Sequence, residues 1–215
     1  MFDTLTDEQR TAATWTGGNL LIVAGAGTGK TTTLAARLAY LLRTGTPSER
    51  ILMLTFSRRA AAELLNRAEQ TAGESTAGAW GGTFHAVANR LLRRHGRAIG
   101  LEPSFTVLDQ TDTSDLLALV RKELEGPHED LSPARRRRAR KQTLAEILSR
   151  CVNTRSPLSQ VLREHFPWCA DERAEIRATF EAYTARKRQR QVLDFDDLLL
   201  CWAALLRVPE VGRLL

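Results

Sequence analysis

The sequence predicts an α/β fold: a parallel sheet carrying a phosphate-binding loop, with an all-helical, arginine-rich region following it. Three observations predict this. The glycine-rich run Ala24-Gly25-Ala26-Gly27-Thr28-Gly29-Lys30-Thr31 directly follows the apolar run Leu20-Leu21-Ile22-Val23. Short apolar runs alternate with helical stretches as far as residue 85. Beyond it the apolar period becomes helical. Strands separated by helices need crossover connections, and those give parallel pairing.

Each element has its own signal. Thr6-x-x-Gln9 has the form of a capping box and opens a short helix over 6–14. Leu20–Val23 reads as a strand and 30–43 as a helix. Ile51–Phe56 reads as a buried parallel strand, followed by an alanine-rich helix over 59–71. Residues 79–84 form a third strand, weakened by Gly81-Gly82. Val87, Leu91 and Leu92 start a long helix towards Gly100, and Leu116, Leu117, Leu119, Val120 and Leu124 mark another that ends at Gly126-Pro127. Leu144, Ile147 and Leu148 mark a further helix. Ile176, Phe180 and Tyr183 give one apolar face to a helix over about 171–190, and a last helix covers 195–206.

The loop at 24–31 fixes the ligand class. Gly25, Gly27 and Gly29 let the backbone curl so that successive N–H groups face one phosphate. The helix that follows adds unpaired donors and a partial positive charge. Lys30 would reach the β- and γ-phosphates, and the Thr31 hydroxyl would ligate Mg²⁺. Those two are the candidate catalytic residues, and Ala24, Ala26, Thr28 and Thr32 complete the loop. Ala24 stands where the common pattern has glycine, a small departure because alanine is nearly as compact. The ligand read from the loop is a nucleoside triphosphate.

Bulk properties exclude other classes. The net charge is +6, with six cations among the seven residues 135–141 and a second cluster at 186–190. Such clusters suit a polyanionic partner, and a run of charge also serves as a plain solvated helix face. No apolar run reaches the ~18 residues of a membrane span, and residues 1–4 carry no leader-like pattern. Cys151, Cys169 and Cys201 are odd in number and widely spaced, which suits a reducing, cytoplasmic setting and no zinc site. Asp194, Asp196 and Asp197 lie on one short segment, where capping of the last helix by Asp194 or Asp196 is expected rather than a metal site.

Four segments then line up: Leu5-Thr6-Asp7-Glu8-Gln9-Arg10, the phosphate loop, Leu54 to Leu64 with Phe56-Ser57-Arg58-Arg59, and Gly82-Thr83-Phe84-His85. Leu193-Asp194-Phe195-Asp196-Asp197-Leu198 adds a fifth. In order and spacing they resemble superfamily 1 DNA helicases of the UvrD/Rep/PcrA type. The resemblance covers nearly the whole chain, while 100–190 matches mainly in length and helical character.

The resemblance implies the first part of a RecA-like ATP-binding domain over 1–85, a helical subdomain over 86–193 and a return to the first domain over 194–215. It implies ATP and Mg²⁺ as cofactors, with Gln9 recognising adenine; the capping role of Gln9 competes with that one. It assigns single-stranded DNA to Phe56, Ser57, Arg58 and Arg59 and to Thr83, Phe84 and His85, with Arg90 on the helix beyond. From the residues alone, Phe56 could instead finish the core and His85 could be structural. The implied activity is ATP-driven 3′ to 5′ translocation and unwinding at duplex junctions. Two other readings stay open, a different phosphate-loop enzyme and a non-catalytic single-stranded DNA-binding module.

One family feature is missing: no Asp-Glu pair follows an apolar run. Glu129-Asp130 and Asp171-Glu172 follow polar or helical sequence. The 215-residue chain is therefore expected to hydrolyse ATP poorly by itself. Its incomplete sheet is expected to leave edges that favour self-association.

Overall fold

Helix α1 (Asp7–Ala13) begins at the predicted cap: Thr6 accepts from the backbone of Gln9, and the Gln9 side chain accepts from Thr6, closing the capping box. The structure, a computed structural model, describes residues 2–73, 75–126 and 138–213. The chain forms two compact units that meet in sequence at Ala88 and Asn89.

In the first unit, α2 (Lys30–Arg43) presents Ala35, Ala36, Leu38 and Ala39 as its buried face. Ala36 packs with Leu5 and Ala13, and Phe2 closes that small core. Arg37 ties α2 to the end of α1 by donating to the Trp15 carbonyl at 2.7 Å. Strand β1 (Leu52–Thr55) and strand β2 (Trp80–Thr83) pair in parallel, from Leu52 opposite Trp80 to Thr55 opposite Thr83. Between them runs α3 (Arg58–Ala72), capped by Ser57 at one end and by left-handed Gly73 at the other. Leu38, Ile51 and Ala68 form the core under the sheet, with Leu65 and Met53 against it. Of the two glycines of β2, Gly81 has a packing reason. A Cβ on Gly81 would stand 2.5 Å from Leu65 Cδ1, so the bare position lets the Leu65 side chain of α3 lie against the strand as it does.

Residues 20–23 do not form the expected strand. They join no ladder, and Leu21 and Val23 are 86% and 87% exposed. A strand exists by its partner, and neither β1 nor β2 pairs with this segment.

Helix α4 (Phe84–His95) follows β2 directly. It ends before Gly100, giving way to a 3-10 turn over Gly96–Ile99. The second unit is helical, as the sequence predicts. Helices α5 (Gln110–Glu125), α6 (Lys141–Thr154), α7 (Leu158–His165) and α8 (Arg173–Arg190) surround one core. Leu117, Leu144, Ile147, Leu162, Ile176 and Tyr183 are its buried centre. Each such aliphatic side chain contributes roughly 1.5–3 kcal/mol by leaving water.

Helix α7, the short α10 (Pro209–Gly212) and a two-stranded parallel pair, β3 (Thr106–Val107) with β4 (Val192–Leu193), escape the sequence reading. Helix α9 (Phe195–Leu205) buries Leu198 and Leu205 and packs within this second unit, as does α10. Among the described residues no helix is long and apolar enough to cross a membrane.

Candidate nucleotide loop and nucleic-acid surface

The glycine-rich loop opens α2. Gly27 and Gly29 sit at φ +77° and +81°, the left-handed region that glycine enters without strain. Ala24 has no positive φ, so the alanine costs nothing there. Gly29 is the N-cap of α2, and its carbonyl accepts from the Thr33 N–H at 2.9 Å and the Thr33 hydroxyl at 3.1 Å. The Thr28 hydroxyl donates to the Gly25 carbonyl at 2.9 Å, bracing the turn. Lys30 folds over the loop: its Nζ donates to the Ala24 carbonyl at 2.8 Å and to the Gly25 carbonyl. Thr31 follows it, exposed in the first turn, with Thr32 half-buried beside it.

Gln9 meets this loop from α1. Its Nε2 donates to the Thr28 carbonyl at 3.0 Å, while its Oε1 serves the cap of α1. Capping and loop contact therefore coexist in one side chain. The donor set suits a triphosphate with Mg²⁺: an ammonium, a helix N-terminus and a hydroxyl oxygen, the ligand type that a hard cation prefers. Thr31 would hold the ion, whose bound chemistry is to neutralise charge between the β- and γ-phosphates.

A second surface lies at the carboxyl ends of β1 and β2, where parallel sheets bind ligands. Phe56 is 97% exposed, so it does not finish the core. Its ring lies 6.1 Å from that of Phe84, tilted by 39°. Arg58 and Arg59 stand exposed in the first turn of α3, where the helix dipole disfavours cations. Their placement is better explained by an anion than by helix stability. Ser57 and Thr83 spend their hydroxyls on local caps, accepting from the Ala60 and Ala86 N–H groups at 3.1 and 3.2 Å. His85 is half-buried beside Phe84, and Arg90 is exposed further along α4.

Arg93, on the same helix as Arg90, has a structural role. Its guanidinium donates to the Pro103 and Phe105 carbonyls at 2.7 and 3.3 Å and lies over the Phe105 ring, so it staples the chain.

Both charge runs are partly structural. Arg135, Arg136 and Arg137 lie outside the described residues, as do Glu129 and Asp130. Arg138 pairs with Glu125 at 2.7 Å and Glu175 at 3.3 Å, and Lys141 with Asp115. Arg186 pairs with Glu123 at 2.5 Å.

Lys187, hidden in sequence within a basic run, is buried. Its Nζ lies 2.5 Å from both Asp194 and Asp197, and the Tyr183 hydroxyl donates to Asp194 at 2.9 Å. Asp194 is the N-cap of α9, as expected. Burial pushes Asp194 up, yet Lys187, the Asp197 N–H and Tyr183 together hold it below the usual carboxylate range. Burial, then the charge of Asp194, drives Asp197 upward. Among the described residues no cluster of three metal-ligating side chains occurs.

The model of the UvrD/REP helicase N-terminal domain matches residues 5–213. The chain belongs to this family. It is 33% identical over 216 residues to the ATP-dependent DNA helicase UvrD1 of Mycobacterium tuberculosis, covering 99% of this chain and 27% of that protein. It is also 33% identical over 207 residues to the ATP-dependent DNA helicase PcrA of Staphylococcus aureus, covering 95% of this chain and 27% of that one. This UvrD/REP N-terminal domain thus spans about a quarter of the length of the curated relatives it matches. Membership accords with the α/β class of the first unit and its phosphate loop.

Proposed function

We propose that this chain is the ATP- and single-stranded-DNA-binding part of a DNA helicase motor. The observation that carries the reading is the glycine-rich loop on the N-terminus of α2, with Lys30 folded over it. Loop N–H groups and Lys30 hold the triphosphate, Thr31 holds Mg²⁺, and Gln9 contacts adenine. Phe56 and Phe84 offer stacking faces to bases, and Arg58, Arg59, His85 and Arg90 meet the phosphate backbone. By the resemblance, residues 1–85 serve the nucleotide-binding domain, 86–193 the inserted helical one and 194–215 a return into the first, although α9 and α10 pack within the second unit here. The relatives' names support a role for the whole protein as an ATP-dependent DNA helicase; 3′ to 5′ polarity and duplex junctions as substrate follow from the family resemblance alone.

The chain alone binds ATP but turns it over slowly, because no Asp-Glu pair follows an apolar run in its 215 residues. Titration of the chain with a fluorescent ATP analogue and with labelled single-stranded DNA tests the reading. Lys30→Ala is expected to abolish nucleotide binding and spare DNA binding. Phe56→Ala is expected to weaken DNA binding by about 1–3 kcal/mol and spare nucleotide. DNA binding without any nucleotide binding would instead identify a plain DNA-binding module. Fast turnover that Lys30→Ala abolishes would refute the slow-hydrolysis reading.

A further inference from the structure

The amide of Gln9 is pinned at both ends. Its Oε1 accepts from the Thr6 backbone N–H at 3.1 Å, and its Nε2 donates to the Thr28 backbone carbonyl at 3.0 Å. A backbone N–H only donates and a carbonyl only accepts, so the two neighbours dictate which way the amide faces. One hydrogen-bonding position then remains at each end. The oxygen keeps a second lone pair, and the nitrogen keeps a second hydrogen.

This residual pattern selects a base. The outer edge of adenine offers an acceptor, N7, beside a donor, the N6 amino group; guanine offers two acceptors, N7 and O6. An amide with one free acceptor and one free donor complements adenine. Against guanine its oxygen would face O6. Turning the amide over would not admit guanine, since its oxygen would then face N7, and it would set donor against donor at adenine N6, so the pinned sense is the one that meets adenine. The lock needs Gly29 as well: a Cβ there would stand 2.7 Å from Gln9 Nε2.

The geometry points to Thr6 and Thr28 as positioning residues for base selection. Their backbone groups fix the Gln9 amide in the adenine-reading sense, and the Thr28 carbonyl ties that choice to the phosphate loop. The inference rests on the reading of Gln9 as a base contact. It also removes the competition that the sequence suggests between capping and base recognition, since one side chain has capacity for both.

Thr6 lies at φ −64° and ψ 165°, a φ that a proline ring imposes by itself. Thr6→Pro therefore deletes the N–H without forcing the backbone. Thr6→Ala deletes the hydroxyl and keeps the N–H. Both variants lose the side-chain cap, and only the proline frees the amide oxygen. Dissociation constants for ATP and GTP, measured by displacement of a fluorescent nucleotide from the 215-residue chain, separate the cases.

Wild type and Thr6→Ala are expected to share an ATP preference on the order of 10-fold, as a bidentate base contact gives. Thr6→Pro is expected to lose part of it, by binding ATP more weakly with GTP little changed, because the Thr28 carbonyl still orients the amide nitrogen, while circular dichroism matches that of Thr6→Ala. Equal ATP-to-GTP ratios in the two variants would overturn the lock and leave the base contact standing. A wild type indifferent to the base would overturn the Gln9 reading itself, and a chain that binds neither nucleotide would overturn both. One readout needs no nucleotide. The Gln9 side-chain NH₂ resonances should shift in Thr6→Pro and not in Thr6→Ala, and resonances unchanged in both would count against the lock.

Discussion

Gly29 carries two constraints at once. Its φ of +81° lies where a Cβ is disfavoured, and that Cβ would also meet the Gln9 amide at 2.7 Å. Gly29→Ala is therefore expected to cost about 1–2 kcal/mol through backbone strain and, in addition, to break the Gln9–Thr28 contact. Thermal unfolding of the variant should show the first effect, and ATP affinity the second. An alanine variant with unchanged ATP affinity would show that the close approach of Gln9 is dispensable. The conformational need for this glycine is legible in sequence, because the loop pattern is local. The steric need is not: Gln9 and Thr28 are 19 positions apart, and only the packing of α1 on α2 brings them together.

Among the elements, α8 and α9 are joined by one buried charge cluster. Lys187 is 8% exposed and faces two carboxylates, with its ammonium 4.6 Å from the centre of the Tyr183 ring. Removing the cation leaves both carboxylates uncompensated, so Lys187→Met is expected to cost about 3–5 kcal/mol near neutral pH.

The pH dependence has a definite sign. Asp194 is held below its ordinary value, chiefly by Lys187 against the opposing effect of burial. A lowered carboxylate stabilises the fold above its unfolded value, ~3.9 for aspartate, and loses that contribution as pH falls through the folded value. Asp197 works oppositely: it is raised, so its contribution grows as pH falls. The gap between wild type and Lys187→Met should be full near neutrality and close below about pH 4, as the variant's carboxylates take up protons. Urea unfolding across pH measures it, and a gap independent of pH would mean that the lysine acts by packing alone. Sequence reading finds the Asp194 cap because a cap is local. It misses Lys187, which looks like one more cation in a solvated run until α8 folds against α9.

At the scale of the whole molecule, most helices were legible from their own apolar period, though α7 and α10 were not, whereas the sheet was legible only in part. β1 and β2 form because α3 crosses between them. Leu20–Val23 has the composition of a buried strand, yet it stays exposed without a ladder partner. Leu21 and Val23, with Leu52 at 50% exposure on β1, leave apolar surface on the first unit. Surface of this kind associates with copies of itself. The chain is expected to self-associate as its concentration rises through the micromolar range, and the double variant Leu21→Lys, Val23→Lys to remain monomeric.

Salt distinguishes this association from DNA binding. Apolar contact survives or strengthens as salt rises. The proposed binding of single-stranded DNA through Arg58 and Arg59 should weaken steeply, with a logarithmic slope of about −0.7 for each phosphate met. Light scattering and DNA titration over the same salt series report the two separately. Self-association that falls with salt in step with DNA affinity would mean that charge, and not the open strand edge, brings the chains together.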